Sequence, residues 1–140
     1  MTAPLDTCAT PLVRTDFGDP KAWQEVIAAV GTPSEKDFLA NVEIVDDVGL
    51  ADQDPIALAK SIRRHNKHAI CVVADAKTMA HADHPLLCVQ VTTLNSLRVI
   101  PSELWAVENN LSLANMDFDD FTVALDEDGV FRGFRSTHQK

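Results

Sequence analysis

No run of this chain approaches the ~18 consecutive apolar residues of a membrane helix, so nothing in it is expected to cross a bilayer. Positive charge is scarce: 12 Lys and Arg stand against 21 Asp and Glu, a formal charge of -9. That balance repels phosphate backbones, and the one basic tract, Lys60, Arg63, Arg64 and Lys67, is too short for a nucleic-acid footprint. Neither a nucleic acid nor a membrane is expected as a partner. Cysteine is limited to Cys8, Cys71 and Cys88, an odd number with no C-x-x-C pair. Two of the three lie in apolar runs, where a thiol behaves as a small hydrophobe, so all read as reduced and structural. The N-terminal MTAPLDTCATP has neither a basic end nor an apolar centre; no export signal is expected, and the cytoplasm is the expected compartment. The chain also lacks G-x-S-x-G, H-E-x-x-H and G-x-G-x-x-G, which disfavours serine hydrolases, zincins and dinucleotide enzymes.

What remains is the composition of one ordinary domain. A length of 140 residues, 46% apolar and 24% charged, suffices to bury roughly two thirds of the unfolded surface without staples. No linker, repeat or low-complexity tract divides it. Residues 1–11 read as a flexible arm, 12–134 as a single domain and 135–140 as a frayed end.

Local patterns then supply the elements. Leu12 to Phe17 reads as a strand, and Asp19-Pro20 opens a helix whose Trp23, Val26, Ile27 and Val30 fall on one face, ended by Gly31 and Pro33. Ser34 to Leu39 is expected to add one helical turn before a strand at Val42–Val45. Asp54-Pro55 opens a second helix with Ile56, Ala59 and Ile62 on its inner face. The run from Ala69 to Ala74 is continuously apolar, as in a central strand covered on both faces. After a polar connection, Leu86 to Val91 and Leu97 to Ile100 form an antiparallel hairpin. Ser102 is expected to cap a short helix carrying Leu104, Trp105 and Val107, with Asn109 and Asn110 as its left-handed exit. Asp117 caps a last helix, Phe118 to Leu125, with Asp120 completing a capping box and Met116 and Phe121 a hydrophobic staple. Asp128-Gly129 turns the chain into a small edge strand, Val130 to Phe134. The expected fold is a single-domain, three-layer α/β structure with a mixed sheet of about five strands, β-α-β-α-β-β-β-α-α. Its N-terminal half is parallel, and the C-terminal hairpin is antiparallel.

Several stretches, LVRTDF with the Trp23 helix, the strand ending VVAD, RVIPSELWAVENNLSLANMDFDDF and the closing GVFRGF, resemble a family of small stand-alone proteins of unknown function, mainly from actinomycete bacteria. The resemblance runs from Leu12 to Phe134. It implies a domain complete in itself and brings no activity, cofactor or site residue.

Ligands of open α/β sheets bind beyond the carboxyl ends of the parallel strands. There Asp16 ends the first strand, Asp46 and Asp47 the second and Asp75 the third. If Asp16 and Asp75 are neighbours they suit Mg²⁺, with Thr15, Lys77 or Thr78 for a phosphate. The plainer account is that Asp is ordinary where a strand becomes a loop, and no Gly-rich cradle follows any strand. No other cofactor is evident. His81, Asp83 and His84 are too close in sequence to share one tetrahedral metal and read as solvated connection. His65 and His68 suit the end of the basic helix.

Glu103, Glu108, Asn109, Asn110, Asn115 and Asp117 around Trp105 form a denser polar cluster than a connection needs. They read either as a recognition surface with an aromatic anchor or as turn chemistry over core. Arg14, unusual inside a strand, needs an acidic partner, which this cluster is expected to supply. Two functions follow. The favoured one is an acidic interaction or regulatory module binding a specific, basic protein partner through the acidic rim or the Trp105 region. The other is a small enzyme or metabolite binder with a Mg²⁺-dependent site at the strand ends.

Overall fold

The computed structural model describes residues 7–62 and 68–134. In chain order the elements are β1 (Thr10–Arg14), α1 (Pro20–Val30), β2 (Val42–Val45), α2 (Pro55–Ile62), β3 (Ile70–Ala74), α3 (Ala76–Ala80), β4 (Leu86–Gln90), β5 (Ser96–Val99), α4 (Leu104–Ser112), α5 (Phe118–Thr122) and β6 (Val130–Phe131). Short 3-10 turns lie at Val48–Leu50 and Pro101–Glu103. One mixed sheet runs β2-β1-β3-β4-β5-β6. β1 lies parallel to both β2 and β3, the β3-β4-β5 section is antiparallel, and β6 returns parallel to β5.

The two-residue alternation of the central strands divides the core. Leu12, Ile70, Val72 and Ala74 face a layer built on α1, α4 and α5, with Trp23, Val26, Leu104, Val107, Phe118 and Phe121. Val13, Cys71 and Val73 face the opposite side, where α2 lays down Leu58, Ala59 and Ile62. β1 and β3 are buried at every position, which is why Ala69 to Ala74 reads as an unbroken apolar run. Trp23 is 1% exposed, and truncating so large a buried side chain costs about 3–5 kcal/mol.

Cap chemistry fixes helix starts where the sequence signals them. The Asp19 carboxylate accepts from the Ala22 N–H with Pro20 in the first turn. The Asp120 carboxylate accepts from the Asp117 N–H at 2.8 Å, and Met116 packs on the cluster that holds Phe121.

Elsewhere the structure departs from the sequence expectation. β1 begins at Thr10, inside the expected arm, and ends at Arg14, where the Thr15 N–H makes the last bond of the ladder to the Ala74 carbonyl of β3 at 3.0 Å. Ser34 to Leu39 forms no helix. Ser34 Oγ accepts from the N–H groups of Lys36 and Phe38, an alternative to helical bonding, and Asp37 takes a left-handed backbone, φ 64°. The connection after β3 holds α3, capped reciprocally by Asp75 and Thr78. Ser102 caps nothing: Pro101 opens a 3-10 turn without a side-chain cap. Asn109 and Asn110 lie within α4, and the left-handed exit falls to Ala114, φ 57°. α5 stops at Thr122, three residues short of Leu125. The sheet has a sixth strand, β6, shortened to two residues. Among the described residues no helix is long and apolar enough to cross a membrane. Arg63, Arg64, His65 and Lys67, residues 1–6 of the expected arm and the frayed end 135–140 lie outside the described residues.

Candidate functional site

The parallel strands β2, β1 and β3 deliver their acids to one rim, as their order requires. Each acid there already holds a partner. Asp16 Oδ1 accepts from the Gly18 N–H at 2.8 Å, and Asp47 Oδ1 from the Gly49 N–H at 2.9 Å. Asp46 serves two residues: Arg14 Nη1 at 3.3 Å and Trp23 Nε1 at 3.2 Å. Arg14 thus pairs with a strand-end acid and not with the α4 cluster; its guanidinium also lies over the rings of Phe17, at 4.3 Å, and Trp23, at 5.2 Å.

Asp75 is the most heavily engaged. Both its oxygens receive Arg98 from β5, at 2.9 and 2.8 Å, and Oδ1 also accepts from the N–H and hydroxyl of Thr78. Burial alone would raise the Asp75 pKa, but the hydrogen bonds and charge of Arg98 together with the Thr78 N–H outweigh it and hold the carboxyl below its ordinary value. Asp16 and Asp75 end adjacent strands, yet the Asp75 carboxylate is turned to Arg98. Among the described residues no group of three or more His, Cys, Asp or Glu gathers as metal ligands do.

The histidine stretch also divides among partners. His84 reaches the Thr78 carbonyl through Nδ1 and Glu25 through Nε2, both at 3.0 Å. Asp83 pairs with Arg132, and the Asp83 N–H donates to His81 Nδ1. His68 Nε2 lies 2.9 Å from the Thr7 carbonyl.

The polar cluster on α4 separates into two kinds of residue. Glu108 is 2% exposed and accepts three hydrogen bonds: the Asn41 N–H at 2.7 Å, Ser112 Oγ at 2.7 Å and Thr10 Oγ1 at 3.2 Å. Asn109 Nδ2 donates to the Leu39 carbonyl at 3.3 Å. Together they hold the segment 34–41 against α4. Asn110 turns back on the Ala106 carbonyl, and its own carbonyl accepts the N–H of the exposed Asn115. The side chains of Glu108, Asn109 and Asn110 set backbone, and Asn115 joins them through its main-chain N–H.

Glu103 and Trp105 do share a surface. They line a cavity of about 770 Å³ with Ser34, Glu35, Lys36, Phe38, Ser102 and Phe134. Phe38 stacks on Trp105 with centroids 4.8 Å apart and planes 10° from parallel. Phe134 packs behind, 4.9 Å from Phe131 and 5.3 Å from Phe121. The chain has six Phe and two Trp, and three of these eight aromatics stand around this groove. Phe38 and Phe134 are 47% and 51% exposed. Trp105 Nε1 is buried without a hydrogen-bond partner among the described residues. Phe38 and Phe134 escaped sequence reading because neither lies in a regular pattern; the signal available was a bulky aromatic in an otherwise polar segment.

Residues 9–134 match a family described as a domain of unknown function (DUF6924), and the chain belongs to it. No curated protein matches the chain.

Proposed function

We propose that this member of DUF6924 is a binding module whose groove between the segment 34–38, the start of α4 and Phe134 docks a segment of a protein partner. The observation that carries the reading is the Trp105 indole, stacked under a half-exposed Phe38 with its N–H unpaired among the described residues. A buried tryptophan N–H ordinarily finds an acceptor, and leaving one without costs about 1–3 kcal/mol. A peptide carbonyl entering as Phe38 shifts would supply that acceptor. A volume of about 770 Å³ lies in the usual range of ligand sites, and aromatic anchors dominate the energetics of interfaces.

The test is capture on the immobilised full chain, followed by identification and purification of the retained protein and measurement of its affinity. Phe38→Ala is expected to weaken binding about tenfold or more, the loss of one anchor of ~1.4 kcal/mol. Asp16→Asn and Asp46→Asn should bind as the wild type does. The opposite pattern, rim variants impaired and Phe38→Ala unaffected, would overturn the groove as the docking surface.

A further inference from the structure

Besides the Trp105 N–H, the groove holds a second polar group without a partner among the described residues, the Glu103 carboxylate. The Glu103 side chain lies against Gly133, where an added Cβ would come within 3.2 Å of Oε1. That glycine sits at φ 106°, a backbone that side chains rarely adopt, so the close approach of the carboxylate is built into the C-terminal turn. Burial pushes the Glu103 pKa up, and among the described residues its carboxylate has neither an ion pair nor a hydrogen bond. Lys36 lines the same groove without pairing to it, and Glu35 adds a second acid. Around this carboxylate stand the rings of Phe38, Trp105 and Phe134.

We infer that the groove selects a cationic side chain, arginine or lysine, of the docked segment, with Glu103 taking the charge and the aromatic faces covering the stem. The inference rests on the groove being the docking surface and names what it recognises there. A carboxylate partly withdrawn from water without a cation carries a desolvation cost, and an incoming guanidinium or ammonium offsets it. Aromatic faces add cation–π attraction and bury the methylene stem. The formal charge of -9 raises the encounter rate with a basic segment.

The experiment titrates the full-length protein with acetylated, amidated Gly/Ser heptapeptides whose central residue is Arg, citrulline or Glu, followed by the indole N–H resonances of the two tryptophans. Trp105→Phe assigns which resonance belongs to the groove. The Arg peptide is expected to shift the Trp105 signal at concentrations up to about 10 mM, and the citrulline and Glu peptides to bind at least tenfold more weakly. Glu103→Gln, which keeps the shape of the side chain, should abolish the preference for Arg over citrulline while leaving the remaining spectrum in place. Equal binding of Arg and citrulline peptides, or an Arg preference that survives Glu103→Gln, would overturn the inference. A citrulline or Glu peptide that shifts Trp105 as strongly as the Arg peptide would do so while leaving the groove as the docking surface. A purified partner that binds Phe38→Ala unchanged would instead remove the docking surface itself.

Discussion

Arg98 grips Asp75 through both guanidinium nitrogens, 2.9 Å from Oδ1 and 2.8 Å from Oδ2, while Nη1 also donates to the Pro85 carbonyl at 3.0 Å. The arginine stands on β5 and reaches past β4 to the end of β3, where Asp75 is also the cap of α3. One carboxylate therefore ties two strands and a helix together, at side-chain exposures of 17% and 22% for the pair.

Breaking that pair from either side leaves a half-buried charge. Asp75→Asn or Arg98→Met is expected to cost about 2–3 kcal/mol in urea unfolding, between the values typical of exposed and of fully buried pairs. The pH dependence follows from the depressed folded pKa of Asp75. Its stabilisation is complete above the unfolded value of about 4 and disappears as pH falls through the lower folded value. Unfolding midpoints measured from pH 6 down to 2 should fall less steeply for Asp75→Asn than for the wild type.

A divalent cation at the strand ends must displace a guanidinium to reach Asp75. Mg²⁺ at about ten times a millimolar dissociation constant would add ~1.4 kcal/mol, a rise of roughly 3–6 °C in Tm for a domain of this size. The expected result is no rise between EDTA and Mg²⁺. A rise abolished by Asp16→Asn would establish a cation site there.

Glu108 is a buried acid with three donors and no cation among the described residues. Glu108→Ala removes the acceptor of the buried Thr10 hydroxyl and of the part-buried Asn41 N–H and Ser112 hydroxyl, and is expected to cost about 1–3 kcal/mol. Because Asn41 follows the segment carrying Phe38, this variant should also loosen the Phe38–Trp105 stack. Tryptophan emission shifting to longer wavelength before global unfolding would register it.

The three thiols should separate cleanly in reactivity. Cys8 is exposed, whereas Cys71 and Cys88 are buried on opposite faces of the sheet. Burial pushes Cys71 up to about 12 and Cys88 higher still. A thiol reagent at pH 8 should modify Cys8 alone in the folded protein and all three in denaturant. A second reactive thiol under native conditions would mean that the β3–β4 pair opens locally.

Much of this architecture is written in short-range chemistry. Asp19-Pro20 and Asp54-Pro55 announce α1 and α2 because a side-chain acceptor and a fixed φ act within one turn. Ala69 to Ala74 announces the central strand through its lack of any polar face. The misreadings have separate causes. Asp75 was legible as a strand-end acid but not as the cap of a five-residue helix, because α3 is too short to build a periodic face. Ser34 to Leu39 carries helix-compatible residues, yet the Ser34 hydroxyl competes for the same N–H groups, and the contact of Phe38 with Trp105 favours the competing form.

By itself the sequence determined the starts of α1, α2 and α5, the central strands, the α/β layering and the acids at the ends of the parallel strands, because caps, period and burial act within a few neighbouring residues. Only the tertiary structure decided which acid meets which base and which aromatics stand together. Arg14 finds Asp46 across 32 positions and Arg98 finds Asp75 across 23, through the strand order β2-β1-β3-β4-β5-β6. The groove arises in the same way: Phe38, Glu103, Trp105 and Phe134 come from three separate stretches of chain. No local rule relates them, and they meet because packing on one face of the sheet leaves them side by side.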